Sequence, residues 1–141
     1  MTPTTSQLRA TAQRTRGFTL IELLVAMMIC AILASIAVPT YRAHVVRSYR
    51  TAAQAAMMDI AVREQQFMVA NRAFVDRTGL AASGYALPTE VADYYTLAID
   101  VPATTVPTFT ITMTPTGGQA ADGALTLDSS GVRSPADKWQ R

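Results

Sequence analysis

The chain has 141 residues, a formal net charge of +2, one His and one Cys. That length suffices for one small domain, and a single Cys excludes any intramolecular disulfide. Neither a Cys/His set at metal-ligand spacing nor a Gly-rich phosphate loop nor a defensible Ser-His-Asp arrangement is present, so an enzyme is not expected and no cofactor or metal is implied.

The charge is unevenly placed. Arg9, Arg14 and Arg16 lie in a lead that has no acid, and without them the balance falls to −1. Residues 42–77 hold six Arg against Asp59, Glu64 and Asp76, whereas residues 86–128 hold five acids and no base. Solvated faces are the plain reading of such blocks; complementarity between subunits of an assembly is the sharper one.

Residues 1–15 are polar, rich in Thr and Gln, and without a core pattern. They read as a leader outside the fold. An apolar run starts at Phe18 and continues to Thr40, broken by one carboxylate, Glu22. As a helix it spans ~34 Å, enough to cross the hydrocarbon of a bilayer. A charge in such a helix costs roughly 2.5–3.5 kcal/mol at its centre, which makes Glu22 a functional candidate. The three leader arginines hold the lead on the cytoplasmic side. Pro39 ends the run and is expected to kink or loosen the helix, because it removes a backbone donor and crowds the turn before it. Cys30 reads as a small apolar helix residue.

From Tyr41 to about Asn71 the helix turns amphipathic. Tyr49, Ala53, Met57, Ile60 and Phe67 form one stripe. One long helix over 18–71 is expected, its second half packed on a sheet. His44, the sole histidine, reads as a surface or interface residue. Residues 72–93 have no clear period and read as a long loop, of a kind that is often functional or holds short helical turns. Three alternating segments follow: 95–101, 108–114 and 125–128. Short connections rich in Gly and Pro predict an antiparallel meander with one apolar face. Residues 129–133 read as a turn, and Trp139 is expected to tuck the tail onto the sheet. Asp122 to Asp128 does not match a calcium loop.

Arg16-Gly17-Phe18-Thr19-Leu20-Ile21-Glu22-Leu23-Leu24-Val25 closely resembles the processing site and first turns of the type IV pilins and pseudopilins, proteins with a class III signal. Tyr94-Tyr95-Thr96-Leu97, Phe109-Thr110-Ile111-Thr112, Thr114-Pro115-Thr116-Gly117-Gly118 and Leu125-Thr126-Leu127-Asp128 are similar to minor pilins of the PilE type. The resemblance implies an α+β pilin fold: a long N-terminal helix on a small antiparallel sheet. It divides the chain into a leader 1–17, a transmembrane and filament-core helix 18–40, and a globular domain 41–141 that is periplasmic and then extracellular. It implies cleavage by a prepilin peptidase between Gly17 and Phe18, N-methylation of Phe18, and a subunit-assembly role for Glu22. Pro39 resembles the kink proline of the family, and residues 31–38 the stretch that unwinds in assembled relatives. Implied partners are other pilins, major and minor, and an inner-membrane assembly platform. The implied location is the bacterial inner membrane in a single pass, then the pilus at the cell surface.

Such pilins usually close their C-terminal region with a disulfide. The two places hold Gly123-Ala124 and Lys138 here, so the tail is expected to be looser, or held by Trp139 packing alone.

The leading expectation is thus a minor type IV pilin that primes or joins a pilus. A pseudopilin of a type II secretion or competence system shares the N-terminus. A DNA-capturing pilin is the third reading; with only Arg133, Lys138 and Arg141 as tail bases, nucleic acid is not expected as a partner. Ser35-Ile36-Ala37 also has the small-x-small look of an ordinary signal-peptidase site, which Glu22 and the Gly-Phe junction argue against.

Overall fold

A computed structural model describes residues 17–140. The expected leader, apart from Gly17, and Arg141 lie outside the described residues. The chain divides after Pro39 into an N-terminal unit and a unit beginning at Thr40.

The first element, α1 (Leu20–Asn71), is a single assigned helix of 52 residues, with Pro39 inside it. Its start is fixed by a reciprocal cap. The Glu22 backbone N–H donates to Thr19 Oγ1 at 3.3 Å, and the Thr19 N–H donates to Glu22 Oε2 at 3.5 Å. This Thr-x-x-Glu pattern satisfies two donors that a helix start otherwise leaves open, and a cap is worth about 1 kcal/mol. In the N-terminal unit, every residue from Gly17 to Pro39 is exposed. The window of highest hydropathy in α1 is long and apolar enough to cross a membrane.

The second unit has its own core. Ala53, Ala56, Met57 and Ile60 are buried along one face of α1, with Tyr49 and Phe67 packed at its margins. This is the stripe expected from the sequence. Opposite it lies a four-stranded antiparallel sheet in the order β1 (Tyr95–Asp100), β2 (Thr110–Pro115), β3 (Leu125–Asp128), β4 (Arg133–Ser134). Register aligns the apolar rows. Ile99 faces Ile111 and Ile111 faces Leu127, while Leu97 faces Met113 and Met113 faces Leu125. All of these side chains are buried, and alternate residues of β1 are exposed. A one-residue slip would turn both rows outward, so the pattern fixes the pairing. Phe109 is buried just before β2 and meets Phe74 edge-on at 4.8 Å.

Three features depart from the sequence expectation or extend it. The 72–93 segment contains two short helices, α2 (Arg77–Ala82) and α3 (Thr89–Ala92). Asp76 caps α2 by accepting from the Gly79 N–H at 2.8 Å. The expected turn at 129–133 is shorter than that range: Arg133 already pairs with Leu127 in β4. Asp128 makes the reversal by accepting from Ser130 and Val132, which holds its carboxyl below the usual range.

The tail is held by more than Trp139. Lys138 Nζ lies 3.8 Å from Asp122 Oδ1, and the Lys138 carbonyl accepts from Gln54 Nε2 at 2.8 Å. A Cβ placed on Gly123 would sit 3.0 Å from Lys138 Nζ. The Lys138 ammonium thus reaches both Asp122 and the backbone at Gly123. Trp139 is half-buried against the core, with Arg133 over its ring at 5.3 Å.

Candidate functional site

Gly17, Phe18, Thr19 and Glu22 line one shallow hollow at the start of α1. The structure thus brings three of the four sequence-predicted residues together; Pro39 lies more than four turns further along α1. A Cβ on Gly17 would meet nothing within 4 Å. The chain's own fold therefore does not require glycine at this position. Phe18 is 82 % exposed, outside the helix, and presents that bond in an accessible stretch.

Glu22 combines two circumstances. Its carboxylate sits among Leu20, Ile21, Leu23 and Leu24, all exposed. It also closes the cap with Thr19. The sequence reading missed the cap, although Thr19-x-x-Glu22 just before an apolar run is its signature. From Leu20 to Val38 the large apolar side chains are exposed on every face, a surface that requires lipid or protein around it.

A second feature lies within the globular unit. Arg47, Arg50, Gln54 and Met58 of α1 face Arg133, Lys138 and Trp139 across a groove of about 610 Å³. Two of its lining bases, Arg50 and Lys138, meet Asp122 behind it, whose side chain is buried. Arg50 Nε donates to Asp122 Oδ2 at 2.8 Å, and Arg50 Nη2 donates to Oδ1. The carboxylate holds the Arg50 guanidinium firmly protonated. Asp122 is placed by a 3₁₀ turn, Gly117–Asp122. Gln119 of the same turn donates to the Val46 carbonyl at 2.9 Å and lies 3.0 Å from the Tyr95 hydroxyl. Asp122 and Gln119 were not foreseen, because that segment read only as a Gly-rich connection. Arg47 and Arg133, with Asp137 as the one acid in the lining, stand in the groove beside the Trp139 ring.

Glu64 was also missed. It lies one turn beyond Ile60 on the buried stripe and is fully buried. Its Oε2 accepts from the Val75 N–H at 2.9 Å, and Oε1 has no hydrogen-bond partner among the described residues. Burial pushes its carboxyl up, against the pull of the Val75 N–H. No group of three or more potential metal ligands occurs among the described residues.

Two family models match the chain. One, described as "Type IV minor pilin ComP, DNA uptake sequence receptor", covers residues 39–127. The other, "Prokaryotic N-terminal methylation motif", covers residues 12–38. No curated protein and no solved structure matches.

Proposed function

We propose that this chain, which belongs to the ComP family of type IV minor pilins, serves as a structural subunit of a filament and not as an enzyme. In this reading a prepilin peptidase cuts between Gly17 and Phe18, Phe18 is N-methylated, and the N-terminal helix anchors the subunit in the inner membrane before packing against sister helices. The observation that carries it is the exposed apolar half of α1 with a lone acid at its capped start.

Cleavage leaves a cationic amine at the tip of an apolar rod. Packed among other rods, that amine needs an anion, since an unpaired buried charge is strongly unfavourable and a paired one is tolerable. Glu22 of a neighbouring subunit supplies it and so fixes axial register. Lipid tails are about as apolar as Leu, so transfer from bilayer to bundle changes little else. The test is incorporation: the Glu22→Ala chain should stay in the membrane fraction and be missing from sheared filaments. Incorporation at wild-type abundance refutes the register role.

The role within the assembly has a second reading, capture of DNA for uptake, in a pilus or a competence pseudopilus. The description of the matching family favours it, and so does the groove with Arg47, Arg133, Lys138 and Trp139. Cationic side chains neutralise phosphates and an aromatic face stacks bases. A gel shift of the full chain in detergent at low salt tests it. Arg133→Gln with Trp139→Ala should weaken binding several-fold; retention of an unchanged shift, or the absence of any shift in the wild type, rules this groove out as the contact.

A further inference from the structure

We propose that Tyr41, Arg42, His44 and Arg47 form a collar that binds anionic phospholipid headgroups in the leaflet opposite the leader. The inference rests on the reading that residues 18–40 span the bilayer.

Four observations point to it. First, Tyr41, Arg42, His44 and Arg47 are all exposed. Neither guanidinium has an ion-pair or hydrogen-bond partner among the described residues, unlike Arg50, which Asp122 occupies. Second, the position along the helix fits. At 1.5 Å per residue, Tyr41 to His44 lie within ~6 Å of Thr40 and Arg47 within ~11 Å, and the headgroup layer adds roughly 5–8 Å on each side of the hydrocarbon. Helical side chains lean toward the N-terminus, so the Arg47 stem slopes back toward the membrane.

Third, the charge is of one sign. Between Glu22 and Asp59 the sequence contains no acid, and its only charged residues are Arg42, Arg47 and Arg50. Fourth, these arginines oppose orientation. Basic residues close to a span favour the cytoplasmic side, so three of them on the far side offset Arg9, Arg14 and Arg16 of the leader. Their placement is a cost to topology that binding an anionic surface offsets. Tyr41 adds the interfacial aromatic common at that depth. The collar holds the subunit at fixed depth until it is withdrawn into a filament.

The test uses the full chain in nanodiscs of phosphatidylcholine with a minor fraction of phosphatidylglycerol, and counts co-retained lipids by native mass spectrometry. Because the leader also carries arginines, the readout is the difference between variants. Phosphatidylglycerol enrichment should fall several-fold in Arg42→Gln/Arg47→Gln and stay at the wild-type level in Arg77→Gln, a charge-matched change on α2. Equal enrichment in the double variant and the wild type overturns the proposal. If that equal enrichment comes with fewer filaments, the arginines meet a neighbouring subunit instead. Release of the wild type from vesicles by alkaline carbonate refutes the spanning reading itself and the collar with it.

Discussion

Arg50 and Asp122, 72 residues apart, form a two-point ion pair that joins the middle of α1 to the turn before β3. Asp122 also faces Lys138, so one buried carboxylate ties helix, sheet and tail.

Removing that carboxylate should therefore cost more than removing Lys138. Asp122→Ala leaves Arg50 without its partner and should lower stability by about 2–3 kcal/mol, at the low end for a broken buried pair because Arg50 keeps some solvent contact. Lys138→Met should cost under about 1 kcal/mol, since its 3.8 Å contact is long and partly solvated. Thermal unfolding of the three proteins checks the order. A smaller loss for Asp122→Ala than for Lys138→Met would remove the carboxylate from its central place.

Glu64 predicts a pH dependence of a defined sign. Its carboxyl titrates higher in the folded chain than in the unfolded one, near about 4.3 for the latter. Between those two values the unfolded chain has released a proton that the folded chain still holds. Stability from this group is thus complete below the unfolded value and is lost as pH rises through the folded one. Glu64→Gln removes the buried charge and keeps an acceptor for the Val75 N–H. It should gain on the order of 1 kcal/mol over the wild type at pH 7.5, with the gain shrinking toward pH 4. Tm measured across that range decides; a gain that grows on acidification has the wrong sign.

The cap and the assembly role of Glu22 separate by substitution. Thr19→Val removes the hydroxyl acceptor but keeps the charge, so helix entry frays by about 1 kcal/mol while filament incorporation persists. Glu22→Gln keeps a side chain able to cap and loses the charge, so incorporation should fail. Quantifying the subunit in sheared filaments distinguishes them. Failure of Thr19→Val together with success of Glu22→Gln would make the cap, and not the charge, the assembly determinant.

Much of the fold was legible because hydrophobic periodicity survives into the structure. The stripe Ala53, Met57, Ile60 and the alternating rows of β1 to β3 are buried as their spacing dictates. The family was legible from the Gly17-Phe18…Glu22 junction and the strand segments. What stayed hidden was polar. Glu64 sits at a core position but reads as surface by residue type. Asp122, Gln119 and Lys138 acquire their partners only through contacts 24 to 84 residues away in sequence, which local pattern does not encode. The strand β4 is two residues long, too short to alternate. Trp139 was expected at the sheet and is found packed against the core, but the ionic tie beside it was not foreseen.

The account turns on the Gly17–Phe18 bond, and the direct measurement is the N-terminal sequence and intact mass of the subunit recovered from membranes of its host. The expected product begins at Phe18, carries one methyl group on its amine, and lacks residues 1–17. A product that begins at Val38, or one that keeps the leader in cells with an active prepilin peptidase, contradicts it.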